Sequence, residues 1–109
     1  MREQNQLLKD IVDAINSITI FTKDINYEEF CKDDKTISAV IRNFEVMGEA
    51  SKHLSDKFKK DNPEIPFKEM AGMRDRLIHD YFGVDVNLVW ETIQNYLPPI
   101  KTKLLDFIE

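Results

Sequence analysis

The 109-residue sequence is poor in the residues that interrupt or cross-link a chain: one cysteine, three glycines and four prolines. Cys31 stands alone, which excludes an intrachain disulfide. Scarce turn formers, together with apolar positions recurring every three or four residues, exclude a strand-and-turn architecture and predict an all-helical chain. No uninterrupted apolar run is present. The first segment, MREQNQLLKDIVDAINSITIF, is broken by Asp13 and Asn16, so neither a signal peptide nor a membrane span is expected, and the expected compartment is the cytoplasm. Cations are also in deficit, with 15 Lys and Arg against 20 Asp and Glu and a formal net charge of −5. That balance argues against a protein that coats nucleic acid non-specifically, because such binding depends on displacing many phosphate counterions. A glycine-rich phosphate loop, a paired-cysteine metal site, a serine-nucleophile motif, an internal repeat and a low-complexity tract are all absent from the sequence.

The length suits one domain spanning 1–109 and is too short for two. Leu8, Ile11, Val12, Ile15 and Ile18 form the stripe of a first helix. Asn26 can cap a short turn whose Tyr27 and Phe30 fold back on the core, and Asp33 and Asp34 favour the start of a long central helix. Ile37, Val40, Ile41, Phe44, Met47, Leu54 and Phe58 extend that helix to about Lys60. Pro63 stops it, and Pro66 opens the next helix, which the pattern carries through to a left-handed cap at Gly83. Asp85 caps a last helical region containing Leu88, Val89, Ile93 and Leu97, kinked at Pro98 and Pro99. The expected architecture is an antiparallel bundle of four principal helices plus a short one.

The fourth helix carries the chemistry. Between Arg74 and Tyr81 the sequence RDRLIHDY holds two arginines, two carboxylates, a histidine and a tyrosine. At roughly 100° per residue, Phe67, Met70, Arg74, Leu77, Ile78 and Tyr81 share one face, so Arg74 falls within an apolar stripe. A guanidinium there is costly to desolvate without an anion. The residues leave two readings open: a buried ion pair with Glu45 or Glu49, or a cleft that receives a phosphate. His79 lies about 140° from Arg74 on such a helix, near Gly72 and Asp75. Asp75, four residues earlier, can orient the imidazole, and Gly72 lets a second backbone approach, as in a helix packed on another subunit. A solvated histidine with an incidental carboxylate neighbour accounts for the same spacing. Glu45, Glu49 and His53 recur every four residues and are more simply a solvated flank than a metal site; no metal or other cofactor is expected. Lys52, Lys57, Lys59 and Lys60 form either a solvated helix end or a phosphate-attracting patch.

Arg74, four residues, His79, one residue and Tyr81 resemble the R-x4-H-x-Y motif of the HEPN superfamily. The segments NFEVMGEASKHLSDKF, IPFKEMAGMRDRLIHDYFGVD and VNLVWETIQNYLPPIK resemble its HepT-like branch in the same order across nearly the whole chain. The resemblance implies a helical bundle that forms a two-fold homodimer with the motif helices at the interface. It further implies the toxin of a type VII toxin–antitoxin pair, a metal-independent endoribonuclease acting on RNA through Arg74 and His79. Asp75 fills the position after the arginine where the family commonly has asparagine or aspartate; Glu49 is a second supporting candidate. Tyr81 matches the tyrosine to which a minimal nucleotidyltransferase antitoxin transfers AMP. Phe67 stands where relatives often carry tryptophan. The alternative within the same superfamily is a catalytically inactive binding module that presents a surface to its nucleotidyltransferase partner. A purely structural adaptor would leave Arg74 in the apolar stripe unexplained.

Overall fold

In the computed structural model of the chain, residues 3–79 and 83–108 are described, His79 through its backbone. Helix α1 (Gln4–Thr22) packs along α3 (Asp34–His53), and their shared seam is the centre of the core. Leu8, Ile11, Ile15 and Ile18 from α1 and Val40, Phe44 and Met47 from α3 are almost completely excluded from solvent, matching the three- and four-residue rhythm of their sequences. Between them, α2 (Tyr27–Cys31) is a single turn fixed by a reciprocal capping box: Asn26 Oδ1 accepts from Glu29 N at 2.8 Å and Glu29 Oε1 from Asn26 N at 3.0 Å. It presses Phe30 into the core against Trp90, ring centroids 5.1 Å apart, while Tyr27 lies on the rim of the same indole at 6.0 Å. A hydrogen bond to the Cys31 side chain is the main cause holding the Tyr27 phenol above its ordinary pKa.

Asp33 caps α3 by accepting from Thr36 N at 3.0 Å and from the Thr36 hydroxyl at 2.6 Å. These bonds favour the carboxylate and hold Asp33 below its ordinary pKa. The central helix ends earlier than its apolar rhythm implies. Leu54 is extended (φ −69°, ψ 147°), and Ser55 caps a separate helix, α4 (Asp56–Asp61). Leu54 still reaches the core, and Phe58 packs against Phe67 and Phe107, so the apolar spacing survives a break in the helix.

A second departure concerns the motif helix, which divides at Gly72 (φ −95°, ψ 7°) into α5 (Phe67–Ala71) and α6 (Met73–Leu77). It does not continue to Gly83. Ile78 is extended (φ −116°, ψ 120°), and β1 (Ile78–His79) pairs antiparallel with β2 (Gly83–Val84). Gly83 has the positive φ, 75°, expected of it, but uses it at the exit of a chain reversal instead of a helix end. The reversal is closed by Asp85 N donating to the Leu77 carbonyl at 2.7 Å.

Asp85 caps α7 (Val86–Glu91) through Leu88 N, and the helix runs through a π-helical turn, Thr92–Tyr96, into α8 (Leu97–Leu105). In a regular α-helix Pro98 and Pro99 would have to donate to Gln94 and Asn95, and proline has no N–H to give. The expected disturbance therefore sits one turn upstream as a widened turn in which Leu97 N reaches back to the Thr92 carbonyl. The architecture is all-α with a small hairpin: α1, α3, the divided α5–α6 and the α7–α8 rod are the principal members, with α2 and α4 as short pieces. Among the described residues no helix is long and apolar enough to cross a membrane.

Candidate functional site

The close contact that locates the site is made by Gly48, a glycine inside a strongly periodic helix whose sequence gives no sign of this role. A β-carbon on Gly48 would lie 2.9 Å from the Met70 carbonyl oxygen and 3.4 Å from that of Ala71. Only a glycine in α3 lets α5 come this near, and α6, which follows directly, is thereby held against the same helix. At Gly72, read from sequence as the point of close approach, the nearest non-neighbouring atom to an added β-carbon among the described residues is the Lys68 carbonyl oxygen at 3.8 Å, and the glycine's work within the chain is to separate α5 from α6.

That separation changes where Arg74 points. The buried members of the divided helix are Phe67, Met70, Met73 and Leu77, so the inward stripe passes through Met73 and Arg74 turns outward. The expected guanidinium within the apolar stripe is corrected to a surface one. Its Nε donates to Glu45 Oε2 at 3.0 Å, with the two side chains 57% and 36% exposed. Of the two carboxylates considered from sequence, Glu45 is the partner, and the pair is solvated. A solvated pair contributes about 0–1 kcal/mol to stability. Among the described residues only Nε is engaged, which leaves the terminal amino groups for another ligand.

Around this pair lies a shallow depression of about 120 Å³ lined by Phe44, Glu45, Gly48, Glu49, Lys52, Ala71 and Arg74. Glu49 is thus brought next to Arg74, but its carboxylate meets His53 Nε2 at 3.2 Å, one helical turn on. With Glu45 turned to Arg74 and Glu49 to His53, the three donors of α3 do not converge, and among the described residues no group of three or more His, Cys, Asp or Glu is placed to hold a metal ion. Lys52 shares the depression, whereas Lys59 lines a different one with Lys68, so the lysine-rich segment is distributed over two places.

His79 follows Arg74 by five residues but not along a helix. Its backbone sits on β1 opposite Gly83. The helical spacing that would set Asp75 one turn before the imidazole ends at Leu77, so any support from exposed Asp75 must come without that register. Tyr81 lies outside the described residues.

The described residues form an all-α bundle in which α6 presents Arg74 at the surface and is followed by the short β1–β2 pair. The family model described as ribonuclease HepT-like matches residues 11–106, and the chain belongs to that family. It is 50% identical over 102 residues to the "Probable ribonuclease HepT" of Thermococcus cleftensis, covering 94% of this chain and 93% of that protein. Two Methanocaldococcus jannaschii proteins named as candidate RNases are 46% and 44% identical over 108 residues each, covering 99% of this chain and 93% and 89% of theirs. No solved structure matches the chain at a significant level.

Proposed function

We propose that the protein is an endoribonuclease that cleaves RNA without a metal ion, acts as one domain spanning 1–109, and assembles as a two-fold homodimer in which Arg74 of one chain and His79 of the other border a shared cleft. The observation that carries this reading is the exposed Arg74 guanidinium, anchored at Nε with its terminal amino groups uncommitted among the described residues. Membership of a ribonuclease family supports the substrate class.

The chemistry assigns each residue a task. The ribose 2′-oxygen loses its proton and bonds to the adjacent phosphorus, the bond from phosphorus to the 5′-oxygen breaks, and that oxygen gains a proton. Histidine suits proton transfer near neutral pH. Charge growing on the non-bridging oxygens is met by the arginine, whose planar fork can give two directed hydrogen bonds where lysine gives a point charge. In a dimer the short hairpin after α6 can bring His79 of one chain to the arginine of the other.

In the same reading the protein is the toxin of a pair, working in the cytoplasm, and its partner is a minimal nucleotidyltransferase that silences it by transferring AMP to Tyr81. A phosphodiester and an adenosine beside the site would repel and exclude the substrate phosphate.

The test is RNA cleavage by purified protein in EDTA. Expected are fragments ending in a 2′,3′-cyclic phosphate and a 5′-hydroxyl, and loss of cleavage in Arg74→Ala and in His79→Ala. Cleavage that appears only on adding a divalent cation contradicts the mechanism, as does full activity in either variant.

A further inference from the structure

We propose that Glu45 is the positioning residue for Arg74: its carboxylate fixes the guanidinium by Nε so that the Nη edge faces the substrate phosphate. The proposal rests on the reading of Arg74 as the residue that contacts that phosphate.

Left to itself, Arg74 is poorly suited to catalysis. It stands on a five-residue helix between a glycine break and a strand, and an isolated turn of that length has little stability of its own. Its side chain is 57% exposed and has several freely rotating bonds. The rigid body nearby is α3, twenty residues long, with the Phe44 and Met47 side chains almost wholly buried. Gly48 follows Glu45 by three positions, so both lie on one side of α3, and at Gly48 the Met70 and Ala71 carbonyls approach that helix closely. The contact that seats the motif segment and the carboxylate that holds its arginine therefore belong to one helix face.

The atom used matters. A guanidinium presents Nε–H on one side and two terminal amino groups opposite, and the 3.0 Å bond from Nε to Glu45 Oε2 leaves a terminal pair for bidentate contact with phosphate. Glu49, the next carboxylate along α3, is occupied by His53 at 3.2 Å. Stability does not account for the bond, because a solvated pair adds little to it. Orientation does, since holding a reacting group in place substitutes for entropy lost on reaching the transition state.

This role carries a kinetic signature. Glu45 offsets part of the arginine's charge, so removing it should leave ground-state attraction for RNA equal or stronger while the transition-state geometry deteriorates. Glu45→Ala should lower kcat by roughly ten- to a hundred-fold with KM unchanged or reduced. Glu45→Gln keeps an oxygen acceptor for Nε–H and should recover much of the lost kcat. In the nitrogen-15 NMR spectrum, the Arg74 Nε–H signal, assigned by its disappearance in Arg74→Lys, should exchange slowly with water in the unmodified protein and in Glu45→Gln but rapidly in Glu45→Ala. An unchanged Arg74 Nε–H signal in Glu45→Ala, or unchanged kcat in that variant while Arg74→Ala is inactive, would overturn the role of Glu45 and leave Arg74 standing. Full activity of Arg74→Ala would instead remove the arginine's own role, and with it the catalytic part of the proposal.

Discussion

Arg74 and Glu45, 29 residues apart in sequence, meet through Nε and Oε2 at 3.0 Å on the surface of the bundle. Because both side chains remain solvated, the pair supports orientation more than folding. Arg74→Ala should therefore change the unfolding free energy by no more than about 1 kcal/mol. A buried ion pair in the apolar stripe would lose about 3–5 kcal/mol on the same substitution. Urea denaturation followed by circular dichroism separates the two values.

Gly48 should be far less tolerant. An added methyl group meets the Met70 carbonyl at 2.9 Å, and neither backbone can yield without moving α5 away from α3. Overpacking costs about 1–3 kcal/mol, and a clash with backbone that cannot turn aside belongs in the upper part of that range, above the ~1 kcal/mol that alanine gains over glycine within a helix. Gly48→Ala should lower the melting temperature and also reduce RNA cleavage, because α6 follows the displaced segment.

The cap at Asp33 makes a pH prediction. Its hydrogen bonds from Thr36 lower the folded pKa below the unfolded value. Its contribution is therefore complete above the ordinary aspartate range and is lost as pH falls through the depressed folded value. Asp33→Ala should lower the melting temperature at neutral pH, with the difference from the unmodified protein shrinking in strong acid. Asp33→Asn, which keeps an acceptor for Thr36 N, should retain more of the neutral-pH stability.

Helix starts were legible because a cap is a local event. Asn26 and Asp85 cap the helices that the sequence assigns to them, and Asp33, read from the sequence with Asp34 as an acidic helix start, proves to be the capping residue itself; each places a side-chain oxygen three residues ahead of the amide it receives. Interruptions inside an apolar rhythm were not legible. Leu54 and Phe58 keep helical spacing across the break before Ser55, and a helical wheel drawn through Gly72 cannot register the change of phase there. That phase change moves Arg74 from the core to the surface and puts Met73 in its place. Glu45 was legible as one of two partners, and the choice between it and Glu49 depended on how α6 lies against α3. The importance of Gly48 had no sequence signal beyond its being a glycine inside a strongly periodic helix.

For Tyr81 the expected outcome is covalent. Incubation with the cognate nucleotidyltransferase and ATP should raise the mass of the protein by one or more AMP units and stop RNA cleavage while the helical circular dichroism is kept. Tyr81→Phe should remain at its original mass. If Tyr81→Phe is nevertheless neutralised by the active partner without being modified, inhibition arises from complex formation and the tyrosine is not the switch.

The measurement that bears most directly on the shared cleft is activity in mixed dimers. Arg74→Ala and His79→Ala chains, each inactive alone, are refolded together and assayed in EDTA. Half of randomly assembled dimers pair the two variants, and each such dimer contains one cleft with an intact arginine from one chain and an intact histidine from the other. Cleavage should return to roughly a quarter of that of the unmodified protein. A mixture no more active than its components, with mixed dimers demonstrated by native mass spectrometry, would contradict a site built from Arg74 and His79 of different chains.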